Sequence, residues 1–263
     1  MKSLDELSKE RASKIEFVLT DIDDTLTNDG VLLPEAYSAM WKLHKAGIKV
    51  LPITGRPAGW CEMIARFWPV CGIIGENGAF YFRHVHQEMK RVFSATDAER
   101  KSHQKKLQIL ETEILNSVPG CAVASDQFCR VTDLAIDFCE DVPRLEDTKI
   151  SQIVKIFENH GAVAKVSSIH VNGWFGSYDK KTMTLRFLYE EFGLSPSEIQ
   201  EKCAFVGDSP NDEPLFHFLD LSIAVSNFVP FQEKTKHLPK FIARGEGGHG
   251  FSEISEKFIE ARS

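Results

Sequence analysis

The sequence predicts an α/β fold, a Rossmann-like parallel sheet core with an inserted α+β cap domain. Three observations predict it. The apolar runs "IEFVLTD", "IKVLPITG" and "VCGIIGENGA" alternate with helix-length segments, which is the rhythm of βαβ units and a parallel sheet. The same rhythm returns after Gly176. Between the two stretches, strand signals follow one another directly, the pattern of an antiparallel module. The core is therefore expected at 1–83 and 177–263, and the cap at 84–176.

The elements follow in order. Ile15–Asp21 is apolar and ends in acid, as suits a strand buried on both faces. Pro34 and Gly47 punctuate a helix. "IKVLPITG" is a second strand ending at Thr54–Gly55, Ala58 to Trp68 a helix, and "VCGIIGENGA" a third strand with a turn. In the cap, 95–118 has helical spacing, "CAVASD" and "DLAIDF" are short strands, and a helix ends at Gly161. "AVAKVSSIHVNGWF" reads as a hairpin turning near Ser167–Ser168. The core then resumes with a helix from about Lys180 to Phe192 and the strand "CAFVGD". A helix from Pro210, the strand "LSIAVS" and a last helix near the C-terminus complete it.

Composition narrows the function. A formal charge of −7 argues against a general nucleic-acid binder, which would carry a basic face. No run of about 18 uncharged apolar residues predicts a membrane span. The start, "MKSLDELSKERASK", is polar and lacks the apolar centre of a signal peptide. Cys61, Cys71, Cys121, Cys129, Cys139 and Cys203 are scattered with no CxxC, which reads as reduced thiols of a cytoplasmic protein rather than a zinc site.

The core strands end in "TDIDD", "ITGR" and "VGDSPND". Ligands of open parallel sheets bind at the carboxyl ends of strands, so the three polar clusters can converge there. Asp21, Asp23, Asp24 and Asp29 crowd nine residues. Asp21 and Asp23 could attack an electrophile and handle a proton, or be a capping and a turn residue. A calcium loop fails, because Leu26 stands where its glycine belongs and Leu32 where its glutamate belongs. Asp208 and Asp212 could cap a helix; with Asp21 and Asp23 they make a cluster that calls for a hard cation, and oxygen ligands favour Mg²⁺. Thr54 and the Gly55 N–H suit a phosphate oxygen. Lys180 and Lys181 open a helix, where a bound anion would offset their unfavourable placement, although both could simply be solvated. His84 and His86 share a strand face without a third ligand and read as ordinary boundary residues.

Together these segments resemble the haloacid dehalogenase (HAD) superfamily of phosphohydrolases. "DIDDTLT" resembles its first motif, "ITGR" the second, the lysines at 180–181 the third and "GDSPND" the fourth. "ENGA" and "GGHGF" are similar to the sugar-phosphatase-like branch of Cof-type, sucrose-phosphate and mannosyl-3-phosphoglycerate phosphatases, which carries a large cap between motifs two and three. The resemblance covers nearly the whole chain and implies a Mg²⁺-dependent phosphatase for a small phosphorylated metabolite, a sugar phosphate first. It implies Asp21 as nucleophile, Asp23 as acid and base, and Thr54 and Lys180 as further catalytic groups. Mg²⁺ would be held by Asp21, the Asp23 carbonyl, Asp208 and Asp212. Gly55, Arg56, Asn77, Lys181 and Asn211 would bind substrate, with Arg130, His170 and Asn172 as further cap and rim candidates. A monomer or homodimer without nucleic-acid or membrane partners is implied. Spacing of the apolar residues prefers Lys180 over Lys181 as the third-motif lysine. Asp24 departs from the pattern, standing where glycine is usual. A phosphomutase using the same aspartyl-phosphate, or a non-catalytic binding protein, are the alternatives.

Overall fold

The computed structural model describes residues 1–167 and 169–262. Its core is a six-stranded parallel sheet in the order Lys2–Ser3, Phe241–Ile242, Ser222–Ala224, Cys203–Gly207, Phe17–Thr20, Lys49–Pro52. A parallel bridge between Ile53 and Ile74 extends its edge. The strand Phe17–Thr20, fifth in that order, pairs with both neighbours in register, Val18 lying opposite Ala204 and Val50.

Alternation along these strands feeds two cores. Val18, Val50 and Ala204 point into one, which is closed by the helices Pro34–Lys45, Ala58–Phe67 and Gly247–Glu260 through Met40, Ile64, Phe251 and Phe258. Phe17, Leu19, Leu51 and Phe205 point into the other, closed by the helix Lys180–Phe192 through Met183 and Phe187. With both faces covered, these strands read as continuous apolar runs and their polar residues collect at the C-terminal ends.

The cap is a four-stranded antiparallel sheet in the order Val163–Val166, His170–Trp174, Asp133–Asp137, Ala122–Val123. Leu134, Ile136 and Val171 pack with the helices Asp97–Ser117 and Asp147–Asn159 in a third core. The alternate residues Asp133, Ala135, Asp137, His170 and Asn172 therefore share the opposite face. The expected hairpin is present, Val166 pairing with Val171, while Ser168 of its expected turn lies outside the described residues.

Two local readings change. The segment from Pro210 begins as a 3₁₀ turn, Pro210–Asp212, before the short helix Glu213–Phe218. The hairpin Phe80–Val85/Glu88–Phe93 spans the expected boundary at residue 84, and Phe80, Phe82 and Phe93 pack in the core. We place the cap's start after this hairpin, near the helix Asp97–Ser117.

Candidate active site

Asp21 leaves the end of the strand Phe17–Thr20 with its N–H donating to the Val206 carbonyl at 3.0 Å. Its Oδ1 accepts from the Ile22 N–H at 2.8 Å, and its Oδ2 from Lys180 Nζ at 2.6 Å. Lys180 also donates to Asp212 Oδ1 at 3.0 Å. It is the first residue of its helix, capped by Asp179, whose Oδ1 accepts from the Thr182 N–H at 2.6 Å. The "ENG" turn presses on this helix start, and a Cβ at Gly78 would lie 2.1 Å from the Asp179 carbonyl oxygen. Asp212 Oδ2 accepts from the Asp208 N–H at 3.1 Å. A Cβ at position 207 would fall 2.4 Å from that oxygen, so the fourth motif needs its glycine for close approach. Asp208 Oδ1 accepts from Thr25 Oγ1 at 2.8 Å.

Three buried carboxylates, Asp21, Asp208 and Asp212, thus bring one oxygen each within 4.8 Å of one another beside one ammonium. Burial pushes Asp21 up to about 8, with Lys180 opposing and Asp212 and Asp23 adding. Burial, Asp212 and Asp21 push Asp208 well above the usual carboxylate range. Burial works against the Lys180 charge, but Asp21 and Asp212 outweigh it and raise its pKa. The all-oxygen donor set and its excess of negative charge fit a hard divalent cation such as Mg²⁺.

The fourth residue of the first motif explains its own oddity. Asp24 has φ +56°, a left-handed backbone in which glycine is at ease and aspartate is among the tolerated residues.

Motif two closes the other side. Thr54 is fully buried, and its Oγ1 accepts from the Arg56 N–H at 3.0 Å. The Arg56 guanidinium grips Asp23, Nε lying 3.0 and 3.1 Å from the two oxygens and Nη2 2.8 Å from Oδ1. Its Nη1 lies 3.5 Å from Glu140 and 3.8 Å from Asp126, both cap residues. A hollow of about 40 Å³ lies here between core and cap. Asp21, Asp23, Gly55, Arg56, Asn77 and Asn211 line it from the core, and Arg130, His170 and Asn172 from the cap.

Lys181 stands apart from the groups that line the hollow. Its ammonium sits 4.9 Å over the Phe218 ring, on the helix face turned away from the hollow, because successive helical residues diverge by about 100°. Lys180 alone of the pair reaches the acids. His84 lies in the Phe80–Val85 strand and His86 in the following turn at φ +51°. The six cysteines are free thiols.

The cap candidates Arg130, His170 and Asn172 line the hollow, and around them stand acids that the sequence reading missed: Glu76, Asp126, Asp133, Asp137 and Glu140. Arg130 Nε donates to Asp126 Oδ1 at 2.9 Å, and its Nη1 to Asp133 at 3.1 Å and to the Gly55 carbonyl at 3.0 Å. Asn172 Nδ2 donates to Asp133 Oδ2 at 3.1 Å. Glu76 is fully buried at φ +42° and accepts from the Ala58 N–H at 3.0 Å, the Thr132 N–H at 2.7 Å and the Thr132 hydroxyl. Burial and Asp133 push it up to about 7. Asp137 accepts from the N–H groups of Cys139, Glu140 and Asp141 at 2.7 to 2.8 Å, which fixes the loop carrying Glu140. Glu140 Oε2 in turn approaches His170 Nε2 at 2.9 Å without hydrogen-bond alignment. Burial and Arg130 lower the His170 pKa. The polar alternation in "DLAID" was the one sequence signal for this face.

Comparison with known proteins agrees with this geometry. The profile of the haloacid dehalogenase-like hydrolases matches residues 18–127. A phosphoglycolate phosphatase from Pyrobaculum neutrophilum is 28% identical over 254 residues, covering 92% of this chain and 95% of its own. The crystal structure of Thermoplasma acidophilum 0175 superposes with a TM-score of 0.70 at 18% identity, covering 93% of this chain and 98% of that one. The sucrose-phosphatase from Synechocystis, solved with sucrose and phosphate, superposes with a TM-score of 0.63 at 15% identity, covering 92% and 97%. Among the described residues no helix is long and apolar enough to cross a membrane. These matches make the chain a phosphatase that is similar to the haloacid dehalogenase-like hydrolases and to their sugar-phosphatase-like branch.

Proposed function

We propose that this phosphatase hydrolyses a small phosphomonoester with an uncharged, hydroxyl-bearing leaving group, a sugar phosphate first, through an aspartyl-phosphate on Asp21. The observation that carries the reading is the buried trio Asp21, Asp208 and Asp212 at the ends of the parallel strands, with one lysine bridging Asp21 and Asp212. An Asp21 oxygen attacks phosphorus, and the bond from phosphorus to the ester oxygen breaks. Asp23 gives its proton to the departing alkoxide, then takes one from the water that attacks phosphorus, and the Asp21–phosphorus bond breaks to release phosphate. Arg56 holds both Asp23 oxygens here, so proton transfer requires it to free one of them. Lys180 offsets the repulsion between anionic nucleophile and anionic ester. Mg²⁺, held by Asp21, Asp208 and the Asp23 carbonyl oxygen with Asp212 in support, would supply the further positive charge that phosphoryl transfer needs. In this reading Gly55, Asn77 and Asn211, which line the hollow, would hold the phosphoryl oxygens and the rim, with Thr54 behind them.

The preference for an uncharged leaving group rests on the cap. Arg56 is already paired with Asp23 and lies near Glu140 and Asp126, and Arg130 is paired with Asp126 and Asp133. Among the described residues, no guanidinium of the hollow is left for a substrate carboxylate. The test is hydrolysis of a generic aryl phosphate and a panel of sugar phosphates with Mg²⁺ and with chelator. Metal-dependent phosphate release is expected; a folded protein inactive on the whole panel would sink the proposal.

A further inference from the structure

Beside the small hollow lies a cleft of about 660 Å³, and Ser167, Asp208 and Ser209 line both. The hollow alone has room for little more than a water or two. The cleft is in the size range of sites that enclose whole small molecules. Its cap wall includes Phe138, Ile150 and Val166, and its core wall Phe231. Val166 and Phe231 keep 45% and 36% of their surface exposed, so an apolar face is open to a ligand.

The charges of the cleft narrow its occupant. Arg144 and Lys234 are its cations, and Arg144 already lies 4.0 Å from Asp147. Asp24, Asp29, Asp147 and Glu246 are its carboxylates besides Asp208. An excess of acid repels a second phosphate or a carboxylate and accepts hydrogen bonds from hydroxyl or amino groups. The Asn227 side chain is occupied within the fold, its Nδ2 donating to the Asp24 carbonyl at 2.6 Å and its Oδ1 accepting from the Gly247 N–H at 3.1 Å. These two bonds hold the Asn227 side chain in place on the cleft's core wall.

We propose that this cleft receives the leaving group of the substrate: uncharged, rich in hydroxyl or amino donors, of nucleoside or disaccharide size, and with one apolar face. The proposal rests on the reading of the Asp21 cluster as the phosphoryl site. The ester oxygen lies at that cluster, and the leaving group passes the Asp208–Ser209 edge into the cleft. A short acidic ester fills neither its volume nor its charge pattern.

The test compares wild type with Val166→Trp, which adds bulk at a half-exposed position on the edge strand of the cap sheet. The esters are adenosine 5′-monophosphate, sucrose 6-phosphate, glycerol 1-phosphate and phosphoglycolate, each with Mg²⁺. For wild type, kcat/KM for one of the two large esters should exceed that for both short ones by about tenfold or more. Val166→Trp should lower it by about tenfold, mainly through KM, and leave the short esters within about twofold. Phe231→Ala should weaken the large ester in the same selective way. A wild-type preference for the short esters, or equal losses on all four in the variants, overturns the proposal. If wild type turns over none of the four, the phosphoryl-site reading is judged separately, by metal-dependent hydrolysis of the aryl phosphate. The cleft is then read by calorimetric titration of the two large esters: binding by wild type that weakens in Val166→Trp supports it, and no binding by wild type overturns it.

Discussion

The molecule holds two buried charged clusters that solve the same problem differently. At the core strand ends, Asp21, Asp208 and Asp212 gather beside Lys180. Across the core–cap boundary, Arg56 and Arg130 are threaded among Asp23, Asp126, Asp133 and Glu140, with fork-shaped guanidinium contacts. Planar guanidiniums match carboxylates two bonds at a time, so the boundary cluster is matched, carboxylate by carboxylate, by the protein's own guanidiniums. The core cluster is not: burial and mutual repulsion raise Asp21 and Asp208, and one ammonium cannot offset three carboxylates. A self-sufficient cluster holds parts in place, whereas an incomplete one is built to receive something charged.

Substitutions separate the two. The largest effect is expected for Asp21→Asn, which should cut hydrolysis by about 10⁴-fold or more, as loss of a nucleophile does. Lys180 keeps Asp212 as partner, so the thermal midpoint should hold; a large fall would make the core cluster structural like its neighbour. Lys180→Met should abolish activity and cost about 3–5 kcal/mol, because the buried Asp21 and Asp212 lose the cation they share beside Asp208. Urea unfolding should recover part of that loss when Mg²⁺ is added, since a ligand bound only by the folded state stabilises it. Arg130→Met strands Asp126 and Asp133 at the boundary and should cost about 2–4 kcal/mol. Mg²⁺ should not restore it, and an equal rescue would erase the contrast between the clusters.

Glu76 gives the pH-dependent case. Its folded-state value of about 7 lies above the ordinary 4.5, so the folded protein holds the proton longer. Its contribution to stability is fully present below 4.5 and is lost as pH rises through about 7. Glu76→Gln should therefore be less sensitive to pH between those values, by about 1–3 kcal/mol in urea titrations. A constant gap between variant and wild type across that range would contradict the assignment. The smallest effect is expected at Asp24. Glycine there removes the cost of a left-handed aspartate and should change stability by no more than about 1 kcal/mol, in the stabilising direction unless chain entropy cancels it.

Much of the core was legible because each strand is an apolar run closed by acid, and each helix carries its own punctuation. The lysine was legible too: the inward spacing of Met183 and Phe187 put Lys180, not Lys181, toward the acids. The boundary cluster was legible only in its basic and amide members. Glu76 and Glu140 meet the cap and Arg56 only in three dimensions, from separate loops, whereas Asp126 stands four residues before its partner Arg130, a spacing the sequence reading passed over. Arg56 was expected on substrate, yet it holds Asp23, a pairing invisible without the fold. The hairpin through residue 84 straddles the expected boundary because its antiparallel strands resemble the cap module, while its aromatic residues pack inward on the core.

The central claim is that Asp21 carries the phosphoryl group when the acid cluster is complete with its cation. Enzyme mixed with Mg²⁺ and a turned-over phosphomonoester, quenched in acid within a turnover and digested, should show one phosphoryl group on the peptide bearing Asp21. The modification should vanish with chelator and in Asp21→Asn. Full turnover with no phosphorylated peptide, or with the group on another residue, would contradict the account.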